Sequence, residues 1–258
     1  MNSFDIEKDF SARVKSTPLF FYPEATSTNA LAKQYAKECR NRTDTAFIAA
    51  RQTEGRGRLG RSFSSLAGGL YLSYLTYPDL APEDTMRLTV YAAVSLCEVL
   101  EEMTGVSPKI KWVNDVYLNG RKVAGILTEG EFSPAENKFL YAVVGIGVNL
   151  HRRAYSPELA EIATDLESVC GIRVSIGDFA ARLVEKLARF GTSDPNQYIE
   201  YYRNRCFIFE KTVKITFTDG RSFTATAKDI DNQGALIIEK ENGSIERLFT
   251  GEVSVKPV

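Results

Sequence analysis

An Asn119-Gly120 pair stands between two runs of β character, Val116–Leu118 and Lys122–Glu131. Both residues tolerate positive φ, which a two-residue hairpin turn demands at both central positions, so the flanking runs must pair antiparallel. Further β segments surround this hairpin at Thr45–Ala50, Leu70–Leu75, Lys109–Trp112 and Phe139–Val148. Helical patterns separate them. Thr26-Ser27-Thr28-Asn29 offers an N-cap to a short helix that ends by Arg40. Pro82-Glu83-Asp84 opens another, apolar at Met86, Val90, Val94, Cys97 and Leu100 and stopped by Gly105. Ser156–Cys170, Gly177–Phe190 and Asn196–Arg205 continue the helical texture. The expected class is α+β, a mixed, mostly antiparallel sheet with helices packed on it.

From about Phe207 the texture changes. Short strands at Thr212–Phe217, Ser222–Asp229, Ala235–Glu239 and Ser244–Phe249 are joined through Asp219-Gly220, Gln233-Gly234 and Asn242-Gly243. That spacing predicts a small all-β unit over 207–258 behind a larger unit over 1–206, and 258 residues suffice for both.

Composition narrows the function classes. A net charge of −1 lacks the basic excess of a nucleic-acid binder, so DNA is not an expected partner. No apolar run approaches membrane-spanning length, and residues 1–15 interleave charges with single apolar residues instead of forming an export signal. Four cysteines, Cys39, Cys97, Cys170 and Cys206, show no metal or redox spacing and fit packing roles in a reducing cytoplasm. His151, in a charged loop after a strand, reads as a surface residue.

The densest chemical signal is Gly55-Arg56-Gly57-Arg58-Leu59-Gly60-Arg61. Its glycines let backbone amides approach a ligand while its arginines offer planar donors to phosphate or carboxylate. It is neither a Walker loop nor a dinucleotide fingerprint, and alone it also suits a solvated basic loop or an RNA contact. Lys111-Trp112-Val113-Asn114-Asp115 ends a strand with a cation, an amide and a carboxylate, and alternation puts Lys111 and Val113 opposite Trp112. Val144-Gly145-Ile146-Gly147-Val148-Asn149 is an apolar strand whose glycines allow something to lie against its backbone, whether ligand or packed neighbour.

Together, Ser27-Thr28-Asn29, Gln52, the Gly55–Arg61 loop, Gly68-Gly69-Leu70-Tyr71, Lys111–Asp115, Lys122-Val123-Ala124-Gly125-Ile126-Leu127 and Gly145–Asn149 resemble in order and spacing the catalytic motifs of the biotin protein ligases. Ile230–Leu236 resembles that family's small C-terminal segment, so the likeness covers nearly the whole chain. Val113 and Leu66 stand where the family usually has proline. Only 26 residues precede Ser27, and the resemblance is therefore to the short form that lacks an N-terminal DNA-binding domain.

The resemblance implies a class II synthetase-like catalytic domain followed by an SH3-like β-barrel. It implies ATP-dependent conversion of biotin to biotinyl-5′-AMP with release of pyrophosphate. Transfer to a lysine of a biotin carboxyl carrier protein or domain would follow. Lys111 and Arg58 become the expected catalytic pair, bridging the acid's carboxylate and the α-phosphate. Ser27, Thr28, Asn29, Gln52, Arg56, Gly57, Gly69, Leu70 and Gly125 join them on the biotin side. Arg56, Arg61, Asn114, Lys122 and Asn149 join them on the ATP side. Mg²⁺ is expected with ATP, without assignable ligands, and a homodimer through edge-to-edge sheet pairing is one family-like route to assembly. Two rivals remain: a lipoate or octanoate transferase of related fold, and an RNA-binding module using the arginine loop.

Overall fold

The structure is a computed structural model describing residues 3–81, 84–249 and 253–257. Pro82 and Glu83, expected to open a helix, lie outside the described residues. Seven strands form the larger sheet: β1 (Leu19–Tyr22), β2 (Thr45–Ala49), β3 (Gly69–Thr76), β4 (Lys109–Lys111), β5 (Asp115–Leu118), β6 (Arg121–Ser133) and β7 (Lys138–Asn149). Their order is β1-β2-β3-β7-β6-β5-β4, antiparallel throughout except for the parallel β1–β2 pair. The predicted hairpin is present, with Leu118 opposite Arg121 and Asn119 and Gly120 at φ 48° and 75°.

Among the described residues seven helices accompany the strands: α1 (Ser3–Arg13), α2 (Thr28–Glu38), α3 (Thr85–Thr104), α4 (Pro157–Ile162), α5 (Leu166–Cys170), α6 (Ile176–Leu187) and α7 (Pro195–Arg205). α2 covers one face of the sheet, where Ala32 packs with Phe47, Leu75, Tyr141 and Val143. The alternate residues of the same strands, Ala46, Ile48, Leu70, Leu72, Val144, Ile146 and Val148, enter the main core with α3 and α6. Covering both faces explains why these strands read as nearly continuous apolar runs.

Local chemistry sets the helix ends. Gly105 stops α3 at φ 70°, as expected for a left-handed cap. Ser156–Cys170 is not one helix: the Asp165 side chain accepts from Ser168 N at 2.7 Å and starts α5 afresh after α4 has ended at Ile162. Likewise α6 starts at Ile176 under a Ser175 cap and stops at Leu187, before a separate 3-10 turn at Phe190–Thr192. Neither α1 nor β1 was expected. α1 buries Ile6 and Phe10 in the main core, one turn apart, against α6.

The second sheet is five-stranded and antiparallel, ordered β11-β10-β9-β8-β12. Its members are β8 (Lys211–Phe217), β9 (Ser222–Ile230), β10 (Leu236–Glu239), β11 (Ile245–Leu248) and β12 (Val253–Pro257). Four of the five match the expected strands, and β12, which pairs with β8, is additional. This sheet, together with α7 and the residues that lead into it, is fastened to β4 and the turn that follows β4. Trp112 Nε1 donates to Gly234 O at 2.9 Å, Phe207 N donates to Ile110 O at 3.1 Å, and Tyr202 Oη donates to Val113 O at 3.2 Å. Arg203 adds Asp229 Oδ1 at 2.9 Å and Ile230 O at 2.7 Å.

β4 ends at Lys111 and a turn follows, so alternation does not extend to Trp112 and Val113, which are both buried. The Trp112–Val113 peptide is cis. Replacing Trp112 by Phe strands the Gly234 carbonyl in a buried environment, and the expected cost is about 1–3 kcal/mol. Chemical denaturation checks this, and an unchanged midpoint would deny the bond its role in holding the second sheet.

Candidate functional site

Two missing side chains on β7 shape a cleft on the α2 face of the larger sheet. A Cβ at Gly145 would stand 2.2 Å from Asn29 Oδ1, and one at Gly147 would stand 2.5 Å from the Phe63 ring. What lies against the GIG strand is therefore a packed pair of neighbours, the amide at the start of α2 and an aromatic ring from the arginine loop. Around them open the walls of one cavity, lined by the start of α2, the Gly55–Phe63 loop, the β4–β5 connection and the middles of β6 and β7.

One end of the cavity is a row of neutral polar groups. Ser27 occupies the N-cap of α2 without a side-chain cap bond and lines the wall. Gln52 Oε1 accepts from Thr28 N at 2.8 Å and from Thr28 Oγ1 at 3.1 Å, while its Nε2 donates to Ser65 Oγ at 2.9 Å. Buried Ser73 lies 2.8 Å from Thr28 Oγ1 and 2.5 Å from Asn29 Oδ1. Asn29 Nδ2 in turn donates to Leu127 O at 3.2 Å and Glu129 Oε2 at 2.8 Å.

The other end is cationic. The loop closes on itself through Gly57 N to Arg61 O at 2.7 Å and Arg61 N to Arg58 O at 3.2 Å, with Leu59 in the left-handed region at φ 55°. This tight turn sends Arg58 inward, where Nη1 donates to Asn114 Oδ1 at 3.3 Å, and leaves Arg56 and Arg61 exposed at the mouth. Burial holds the Arg58 guanidinium below its ordinary value, against the attraction of Asp115, and Arg61 adds to the lowering. Lys122 Nζ donates to Asp115 Oδ1 at 2.5 Å and lies 5.8 Å from the Phe63 ring centroid. Asn114 is fixed by Nδ2 to Ile126 O at 2.8 Å, and Lys111, at the end of β4, completes the wall. Converging cations beside a neutral polar row can hold an anion at one end of a ligand and an amide-like group at the other.

Of the residues singled out from sequence, the cavity gathers Ser27, Thr28, Asn29, Gln52, Arg56, Gly57, Arg58, Arg61, Lys111, Asn114, Lys122 and Gly125. Gly69, Leu70 and Asn149 are not among its lining residues. Leu70 is wholly buried in the main core, and a Cβ at Gly69 would meet Tyr71 Oη and Val148 O. Asn149 is buried behind the wall, where Nδ2 donates to Thr164 O at 2.9 Å and Oδ1 accepts from Arg153.

Phe63, Ser73 and Glu129 were not anticipated. An aromatic eight residues after Gly55, at the end of a polar loop, is the available signal for Phe63, whereas Ser73 and Glu129 read as ordinary strand residues. His151 is not on the surface. It is 5% exposed, with Nε2 2.8 Å from Val174 O and its backbone N–H donated to Gly68 O.

Comparison with known proteins assigns both parts of this architecture. The Biotin/lipoate A/B protein ligase family matches residues 22–149, and the Biotin protein ligase C terminal domain matches residues 208–256. The chain is 28% identical to the bifunctional ligase/repressor BirA of Bacillus subtilis, over 99% of this chain and 79% of that protein. It is 30% identical to the BirA of Salmonella typhimurium, over 83% of this chain and 68% of that protein. The solved biotin protein ligase of Aquifex aeolicus in complex with biotin and ATP superimposes with a TM-score of 0.75 at 30% identity, covering 93% of this chain and 99% of that one. At 30% identity over more than two thirds of each of the last two relatives, the chain belongs to the biotin protein ligase family.

Proposed function

We propose that this chain is a biotin–[biotin carboxyl-carrier protein] ligase that joins biotin to ATP as biotinyl-5′-AMP and then passes the biotinyl group to a carrier lysine. The observation that carries the reading is the division of one cavity into a neutral polar row at Thr28, Asn29 and Gln52 and a cationic end at Arg58, Lys111 and Lys122. Biotin has this same division, a ureido ring at one end and a carboxylate at the other. The family relationship and the relatives named for biotin support it further.

In the first step a carboxylate oxygen attacks the α-phosphorus and the bond to the β-phosphate oxygen breaks, releasing pyrophosphate. Negative charge gathers where the carboxylate meets the phosphate, and donors aimed there lower the barrier. We assign that role to Arg58 and Lys111, with Arg56 and Arg61 reaching the outer phosphates from the mouth. Asp115 holds Lys122 at the same wall. Asn114, which accepts from Arg58 and is itself tied to Ile126, keeps the guanidinium on station. In the second step the neutral amine of the carrier lysine attacks the acyl carbon, AMP leaves with the bonding pair, and the nitrogen gives up one proton to solvent as the amide forms. Mg²⁺, expected with ATP, would be held by the phosphates of ATP and would offset their charge; among the described residues no group of three or more His, Cys, Asp or Glu could hold a metal.

We divide the chain into a catalytic unit over 1–206 and a C-terminal unit over 207–258. We keep Asn149 on the adenine side, acting from behind the wall through Arg153, and Gly69 and Leu70 as supports of the biotin end. A reducing cytoplasm suits the four free cysteines. Among the described residues no helix is long and apolar enough to cross a membrane. A homodimer formed by sheet pairing would use β1, because Cys206 and Phe207 already run along β4.

Pyrophosphate release from ATP and Mg²⁺ with biotin, lipoate or octanoate tests the reading. Biotin alone should support release, and Lys111→Ala and Arg58→Ala should each lower kcat by roughly 10²–10³-fold. Release with lipoate instead would overturn the substrate, because an acid without N–H groups leaves the polar row unpaired. Closure of the Arg56–Arg61 segment over the adenylate would exclude water from a mixed anhydride. Limited proteolysis should show that segment protected only when biotin and ATP are both present, and equal cleavage with and without them would rule out a lid.

A further inference from the structure

Three oxygen-to-oxygen contacts connect the two amides of the polar row: Asn29 Oδ1 to Ser73 Oγ at 2.5 Å, Ser73 Oγ to Thr28 Oγ1 at 2.8 Å, and Thr28 Oγ1 to Gln52 Oε1 at 3.1 Å. Amide oxygens only accept, so Ser73 and Thr28 supply two protons for three contacts. The row is thus one proton short and rich in acceptors. A ligand bearing N–H groups relieves that shortage, whereas a ligand bearing only acceptors worsens it.

This polarity holds only while both amides present oxygen to the hydroxyls. Gln52 is oriented by the backbone N–H of Thr28, which requires an acceptor. Asn29 is oriented from β6: its Nδ2 donates to Leu127 O, at the cavity wall, and to Glu129 Oε2, and these two bonds use both of its protons. Glu129 is not a lining residue of the cavity. It stands on β6, half-buried, and its second oxygen accepts from Lys33 Nζ at 2.7 Å. Lys33 and Asn29 lie one turn apart on α2, so a single carboxylate bridges both. Burial opposes the charge of Glu129, but the bonds from Lys33 and Asn29 outweigh it and hold the carboxyl below its ordinary value. Glu129 is therefore ionised near neutral pH, with two acceptor oxygens and no proton to donate.

We propose that Glu129, through Asn29, is a positioning residue that fixes the donor and acceptor polarity of the acid pocket and so selects an N–H-bearing acid over one without N–H groups. The proposal deepens the reading of the site as a biotin-activating one and rests on it. Its mechanism is specific. Were Glu129 replaced by Gln, Lys33 would claim the single amide oxygen, the amide nitrogen would face Asn29, and Asn29 would turn its own oxygen outward to meet it, giving up its bond to Leu127 O. The row would then present an N–H to Ser73 and lose its shortage of protons.

Steady-state pyrophosphate release by the full chain tests this with Glu129→Gln and with the double variant Lys33→Met/Glu129→Gln. Glu129→Gln should raise KM for biotin by roughly ten- to a hundredfold, the cost of mispairing one buried polar group. Its kcat and KM for ATP should stay within about twofold of wild type, because the cationic end is untouched. The double variant removes the claim of Lys33, frees the Gln oxygen for Asn29, and should recover most of the lost affinity. An unchanged KM for biotin in Glu129→Gln would overturn the proposal. So would a rise that the double variant fails to reverse, or a matching loss in kcat, since either marks a general structural role. Wild-type protein that releases no pyrophosphate with biotin would overturn the functional reading and this proposal with it, whereas active wild type with an indifferent Glu129→Gln would remove the proposal alone.

Discussion

Close approach to one strand organises the whole site. Because Gly145 and Gly147 carry no Cβ, the Asn29 amide and the Phe63 ring both rest on the β7 backbone, and with them come the start of α2 and the end of the arginine loop. Any side chain at either position would push out one of these neighbours, since contacts of 2.2 and 2.5 Å are far inside van der Waals distance. Two segments distant in sequence are thus seated side by side on a rigid sheet, one bringing neutral acceptors and the other bringing cations. The sheet can serve as that platform because α2 closes one of its faces while α3 and α6 close the other.

Placing charge and neutral polarity at opposite ends of a single cavity has a physical consequence. Under the proposed function the arginines and lysines would act on an anion in partial seclusion from water, where a donor stabilises developing charge more strongly than it would in solution. On the same reading the neutral row would recognise by hydrogen-bond matching instead, and its discrimination would come from the cost of leaving buried groups unpaired. The second sheet enters this arrangement through Trp112. That residue is adjacent to Lys111, lines the cavity, and is bonded to Gly234, so the position of the cationic wall depends on a turn more than a hundred residues downstream.

Much of this was legible in the sequence because it was written in local signals. Asn119-Gly120 dictated a hairpin, the turn dipeptides after Phe207 announced a second sheet, and the arginine and glycine pattern marked the loop that forms the cationic end. What was illegible depended on tertiary neighbours. α1 shows its apolar residues only at wide spacing among charges, and α6 supplies the surface that makes it a helix worth docking. Asp165 splits Ser156–Cys170 because its carboxylate caps the next turn, a local competition that periodicity alone does not reveal. Phe63, Ser73 and Glu129 acquire meaning only from what β7 and α2 bring against them. His151 looked exposed beside charged residues, yet the Val174 carbonyl and the Gly68 turn enclose it.

A crystal structure of the protein with a non-hydrolysable sulfamoyl analogue of biotinyl adenylate tests the central claim most directly. The account predicts the ureido N–H groups within hydrogen-bond distance of the Thr28, Asn29 and Gln52 row, and the sulfamoyl linkage between Arg58 and Lys111. A ureido ring seated away from that row, or a linkage held by groups outside the arginine loop and β4, would contradict it.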